Sequence, residues 1–297
     1  MNRLLATNGS GTFYETTYDV PALLEEDQIF VESVMTGVCR SDIDMMQGNF
    51  GPLPLSMQGH EGLGRVLKVG KDVRDVRPGD YVATRGEPAY ADQYVVRSRE
   101  YVWVPEAHPR FILEPVACGI NVIHQPLREI AERSGPGRRL LILGSGFLAW
   151  VAYNTILLNH LHFEITVIGN SNKDLWGQRL GQYYGGKFDV VIDLSSRNDV
   201  FTEDILHNEA LVVFGVEKKV TTSFANLLWK ACTMVFPSPR TDKFYQCMAD
   251  AARWIEDGDI NVDTFWTTAY NRDTEWQQAF ADGANRPAGY GRGYLKW

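Results

Sequence analysis

The sequence predicts an α/β protein of two domains: a β-rich barrel or sandwich, then a doubly wound parallel sheet. Three observations carry this. Short runs in the first third alternate apolar and polar residues between Gly and Pro turns. From about Pro115 onward, apolar β-branched runs alternate with helical stretches. A chain of 297 residues is also longer than one core comfortably serves. The expected division is 1–117 for the first domain, 118–262 for the second, and 263–297 for a return to the first.

In chain order, "DQIFVESVMTGV" (27–38) has the period of a half-buried strand. "GLGRVLKVG" (62–70) is a second strand bounded by glycines, "VRPGDYVAT" a turn and a third, and "DQYVVRSREYVWVP" two more. "CGINVIHQPLREIAERSG" then reads as helical, "RRLLILGSG" as a strand, "FLAWVAYNTILLNH" as a helix and "FEITVIGN" as a strand. "KDLWGQRLGQYYG" is an expected helix, "FDVVIDLS" a strand, "DILHN" a short helix at most, and "EALVVFGV" a strand. Amphipathic helices are expected in "FYQCMADAARWIEDGDI" and "TEWQQAFADGAN", and a last strand in "GYGRGYLKW".

Composition excludes several classes. A net charge of -8 with no Lys/Arg cluster argues against nucleic acid as partner. Cys39, Cys118, Cys232 and Cys247 are scattered, so disulfides are not expected. The start lacks a signal-peptide core, which makes the cytoplasm the default. The apolar stretch 140–158 is nearly bilayer length, but Gly144, Ser145, Gly146 and Asn154 interrupt it. A buried strand running into a buried helix explains it better.

"LILGSGFLA" fits G-x-G-x-x-A at Gly144, Gly146 and Ala149, between an expected strand and an expected helix. The backbone there can approach a pyrophosphate, which a helix N-terminus favours. Ser145, Phe147 and Leu148 complete this loop, and Gly215 with Val216 follows a later strand in the same expected cofactor site. The second strand ends at Asn170 where an acid would hold the adenosine ribose. Asn170, Ser171 and Asn172 can hydrogen-bond without repelling a 2′-phosphate, and Lys173 can pair with one. NADP is therefore expected to be accepted and preferred, with NAD as the alternative.

Cys39 in "TGVCRSDID", His60 and Glu61 in "QGHEGLGRV", and Glu114 in "FILEPVACG" form a borderline donor set suited to zinc. Each alone is an ordinary residue: a core thiol, a turn histidine, a surface acid.

Together these pieces resemble the zinc-containing medium-chain dehydrogenase/reductase family of alcohol, sorbitol and threonine dehydrogenases. "GVCRSD", "GHEGLGRVLKVG", "VRPGDYV", "LEPVACG", "LILGSGFLA", "FDVVIDLS" and "VVFGV" occur in the family's order. The resemblance implies a GroES-like catalytic domain and a Rossmann cofactor domain. It implies one catalytic zinc on Cys39 and His60, with Glu61 either a ligand or a supporting residue. Glu114 stands where polyol and threonine types have glutamate and classical alcohol dehydrogenases have cysteine. Arg40 matches an arginine that touches the cofactor pyrophosphate, and Ser41 the hydroxyl that bonds the substrate oxygen and passes on its proton. Arg292, near the end, is expected to reach the cofactor phosphates.

Two departures stand out. The four-cysteine lobe for a structural zinc is replaced by "ATRGEPAYADQY", so no second metal is expected. Loss of that lobe removes a usual subunit contact, and a homodimer is the assembly left open. Asp44 replaces a histidine of the proton relay; it either relays through water or faces solvent.

The implied activity is hydride transfer between a secondary alcohol or polyol (or its ketone or aldehyde) and NAD(P). Two alternatives stay open: a zinc-free NADPH quinone or enone reductase of the same superfamily, and a dinucleotide-binding redox sensor without turnover.

Overall fold

The computed structural model describes residues 1–21, 24–51, 53–181, 185–197, 201–219 and 221–297. Its strands, in chain order, are β1 (Arg3–Ala6), β2 (Tyr14–Thr17), β3 (Gln28–Gly37), β4 (Gly62–Val69), β5 (Tyr81–Thr84), β6 (Gln93–Arg97) and β7 (Tyr101–Val104). There follow β8 (Arg139–Leu143), β9 (Glu164–Ile168), β10 (Phe188–Asp193), β11 (Leu206–Phe214), β12 (Thr233–Val235), β13 (Trp266–Asn271) and β14 (Arg292–Lys296). The chain forms two units: Met1–Pro115 with Met248–Trp297, and Val116–Cys247. The sequence reading put these divisions at 117 and 262. The second boundary in the structure, between Cys247 and Met248, falls within the single helix Phe244–Glu256, where composition shows no break.

The first unit is built on a seven-stranded sheet, ordered β13-β14-β3-β4-β5-β7, with β6 also paired to β3. Only the β13–β14 pair is parallel. β3 was legible because its inward residues, Ile29 and Val31, are fully buried while Glu32 faces out. β14 closes against β3 in antiparallel register, Leu295 opposite Thr36. β1 and β2 form a separate antiparallel pair, unanticipated because each has four residues. The core gathers Leu4, Ile29, Val66, Val82, Tyr94 and Leu295. Phe13 stacks on Phe280 at 3.7 Å, and Tyr90 stands edge-on to both. β5 passes to β6 through residues 85–92, which contain no cysteine.

The second unit is an all-parallel sheet, ordered β12-β11-β10-β8-β9. The four strands expected here are β8 to β11, and the short β12 joins the sheet unforeseen. The apolar stretch 140–158 is β8 running into the helix Phe147–Leu158, and no helix among the described residues is long and apolar enough to cross a membrane. "DILHN", expected as a short helix, is a single tight turn, Glu203–Ile205, that passes directly into β11. The expected helix after β9 is reduced to one turn, Lys173–Trp176, and a tight turn, Gly177–Arg179; Gln182 to Tyr184 lie outside the described residues. Gly177 and Gly181 break its periodicity. A full doubly wound sheet has a third strand outside the second. Among the described residues that place holds one parallel bridge, Leu180 to Val167, with the Gly181 N–H donating to the Val167 carbonyl at 2.8 Å.

Candidate active site

Cys39 caps the helix Arg40–Met46 just after β3 ends. Asp42, in the third helical position, turns its Oδ2 back to accept the Cys39 N–H at 2.8 Å. This ties the loop that carries the thiol. The same Oδ2 accepts from the Tyr90 hydroxyl at 2.7 Å. The other oxygen, Oδ1, is buried without a hydrogen-bond partner and lies 3.6 Å from Nδ1 of His60. Asp42 is fully buried, and burial pushes its carboxyl above the usual range, against the pull of His60 and Tyr90.

His60 and Glu61 enter from the other side, just before β4. Gly59 precedes them with φ of 79°, and a Cβ there would sit 2.6 Å from the Tyr90 ring. Only glycine lets this loop turn and close on Tyr90. The ligand atoms of Cys39, His60 and Glu61 lie within 4.8 Å of one another, and Nε2 of His60 is 3.3 Å from the Ser41 Oγ.

The cluster is strongly acidic. Burial pushes the Cys39 thiol up, and the Glu61 charge adds to it. Burial alone would lower His60, but Asp42, Cys39 and Glu114 together hold it well above its ordinary value. Thiol, imidazole and carboxylate facing one point are the donor set of a zinc site, and the excess of acids over bases favours a cation there. Glu114, which opens the helix Glu114–His124, is buried and its charge reaches His60, but its carboxylate is not in the group of mutually close ligand atoms.

Glu61 has a second partner. Nη2 of Arg292 lies 2.5 Å from both of its oxygens, with the Arg292 guanidinium over the Trp266 ring at 4.9 Å. Burial would lower the Arg292 pKa, but Glu61 and Cys39 raise it instead. The arginine expected at the cofactor phosphates is thus engaged by the acid of the Cys39–His60–Glu61 cluster. Arg40 is half exposed and pairs with Asp44 at 3.4 Å. Asp44 also accepts from Asn49 at 3.2 Å, so its side chain is engaged with Arg40 and Asn49.

Sequence reasoning gave Asp42 and Tyr90 no role. An acid three residues after a helix cap is a recognised spacing, and it marks Asp42. Nothing local marks Tyr90, which arrives from the loop between β5 and β6.

In the second unit, Gly144 ends β8 with φ of 113°, and a Cβ there would meet the Leu194 carbonyl at 2.9 Å. Gly146 caps the helix that Phe147 and Leu148 begin, and a Cβ added there would meet nothing within 4 Å. That open approach to a helix N-terminus fits a pyrophosphate. Ser145 between them is clasped by the exit of β9. Its Oγ donates to the Ser171 carbonyl at 2.8 Å and accepts the Ser171 N–H at 3.0 Å. Its carbonyl accepts from Asn172 Nδ2 at 2.9 Å and from Trp176 Nε1 at 3.0 Å. Asn170 and Lys173 are exposed, and Gly215 and Val216 follow the end of β11. An unforeseen buried ion pair, Lys218 to Asp193 at 2.7 Å, stands at the carboxyl ends of β10 and β11.

The chain thus pairs a β-rich unit that holds a thiol–imidazole–carboxylate cluster with a parallel-sheet unit that holds a glycine-loop helix. Residues 25–109 match the alcohol dehydrogenase GroES-like domain. The match covers the part of the first unit that carries Cys39, His60 and Glu61. The chain is 27% identical over 153 residues to an alcohol dehydrogenase of Schizosaccharomyces pombe, covering 41% of this chain and 43% of that one. It is 36% identical over 105 residues to a D-xylulose reductase of Scheffersomyces stipitis, covering 33% of this chain and 28% of that one. The chain thus spans less than half the length of these curated relatives. A thermostable alcohol dehydrogenase of Pyrobaculum aerophilum has the same fold, with a TM-score of 0.78 at 16% identity, over 100% of this chain and 99% of that one.

Proposed function

We propose that the protein is a zinc-dependent oxidoreductase that moves hydride between a secondary alcohol or polyol, or its ketone or aldehyde, and NAD(P). The convergence of Cys39, His60 and Glu61, with Asp42 behind the imidazole, carries this reading. When bound, zinc supplies Lewis-acid polarisation of the substrate oxygen, and the nicotinamide takes or gives the hydride. Cys39 and His60 hold the metal, with Glu61 or Glu114 as the third protein ligand. Asp42 faces Nδ1 of His60 and so directs Nε2 toward the metal. Ser41, whose Oγ already lies beside Nε2 of His60, takes or returns the hydroxyl proton of the substrate. Asp44 holds Arg40 and serves no relay in this reading.

Glutamate at position 114 and the likeness to a D-xylulose reductase both favour polyols over simple alcohols. Absence of an acid at Asn170, with Lys173 nearby, supports acceptance of NADP as well as NAD.

Metal analysis and turnover test the reading together. Purified protein should hold about one zinc per chain, the content of a single open catalytic site. Cys39→Ala should lose both the zinc and hydride transfer, from polyols to NAD(P) and from NAD(P)H to their ketones. Full turnover by a zinc-free preparation would favour a quinone or enone reductase. No hydride transfer across a broad alcohol and carbonyl screen would leave a binding protein.

A further inference from the structure

We infer that the dinucleotide is bound through its nicotinamide and pyrophosphate, and that its adenosine half adds little. This rests on the cofactor reading of the Gly144–Gly146 loop. A doubly wound sheet is two mononucleotide-binding halves joined at the first and fourth strands. Here the halves are unequal. One keeps three strands, β10, β11 and β12. The other, which carries the glycine loop and would take adenosine, keeps β8 and β9 and, among the described residues, a single bridge at Leu180 in place of its third strand.

Side chains at the end of β9 point to the same conclusion. Four residues there were expected to meet the adenosine ribose and its 2′-phosphate. The Ser171 backbone and the Asn172 amide are bonded to Ser145 instead. Trp176, the aromatic that follows, is sunk in the core between Trp150 and Tyr153, at 5.2 and 5.4 Å. Its ring cannot stack on adenine. These bonds fix the glycine loop from the exit of β9, so the pyrophosphate cradle is kept; all four residues there are exposed, but Ser171 and Asn172 are held to Ser145, which leaves Asn170 and Lys173 to face adenosine.

The experiment is titration of the full-length protein with NADH, NADPH and reduced nicotinamide mononucleotide, read by nicotinamide fluorescence. The mononucleotide should bind within about tenfold of NADH, the shift expected when the removed half contributes few contacts. NADH bound with the mononucleotide more than about tenfold weaker overturns the inference and leaves the cofactor reading intact. Binding of none of the three overturns the cofactor reading, and the inference with it.

Discussion

Both carboxylate oxygens of Glu61 lie 2.5 Å from one guanidinium nitrogen of Arg292, where Glu61 is fully buried and Arg292 nearly so. A paired buried charge adds little net stability, but removing one partner strands the other in a low dielectric. Arg292→Ala should therefore destabilise the metal-free protein by about 3–5 kcal/mol, measured by urea unfolding in chelator. On the proposed reading zinc would supply a replacement charge beside Glu61, and saturating zinc should narrow the gap. Equal stability of variant and parent in chelator would show that the pair holds nothing together.

Asp42→Asn keeps the bond from the Cys39 N–H and removes the charge facing His60. Supporting carboxylates of this kind set metal affinity, and the variant should bind zinc about 10–100-fold more weakly. Competition against a chromophoric chelator measures this. Tyr90→Phe should move affinity the same way by less, since it removes one hydrogen bond from Asp42 and no charge.

Trp176→Phe should separate a loop contact from core packing. It keeps an aromatic ring near Trp150 and Tyr153 but deletes the bond to the Ser145 carbonyl. Stability should fall by about 0.5–1.5 kcal/mol, and NADH affinity should fall with it. Trp176→Ala should cost about 3–5 kcal/mol, because it also opens a cavity. Unchanged NADH binding in Trp176→Phe would mean that the clasp does not shape the loop.

Asp189 gives a pH-dependent stability. Burial alone would raise its carboxyl, but the Arg139 backbone N–H and the Arg138 guanidinium outweigh this and hold it below the usual range. A depressed folded-state pKa stabilises the fold above the unfolded value, about 4, and that contribution is lost as pH falls through the folded value. Asp189→Asn should cost on the order of 1 kcal/mol or less at pH 7, because Arg138 is half exposed and screened. The cost should vanish under strongly acid conditions. Urea midpoints across pH decide it, and a cost that persists in acid would point to packing instead of charge.

Legibility in the sequence followed distance along the chain. β3, β8, β10 and β11 were readable because each is a single run whose neighbours in sequence declare its burial. Cys39 and His60 were singled out through the motifs of the resemblance, and the fold brings them together; the glycine loop was readable because a strand–turn–helix leaves a local pattern. β13 was missed, since "WTTAYN" alternates weakly and gains its place only by pairing with β14. Tyr90 was missed for the same reason: its contact with Asp42 joins residues far apart in sequence. The helix expected after β9 failed because a strand and a helix that usually follow there are reduced, and periodicity cannot report a reduction.

β14 has a consequence for synthesis. The first unit is discontinuous, and β14 must reach back from residue 292 to β3 at residue 37. The second unit is one uninterrupted segment and can fold while the chain is still being made. Until the last strand leaves the ribosome, the end of β3 that pairs with β14, Met35 to Gly37, has an open edge and Glu61 has no arginine. A ribosome stalled before Arg292 would hold a folded second unit and an unfinished first unit, with that edge free to pair with another nascent chain.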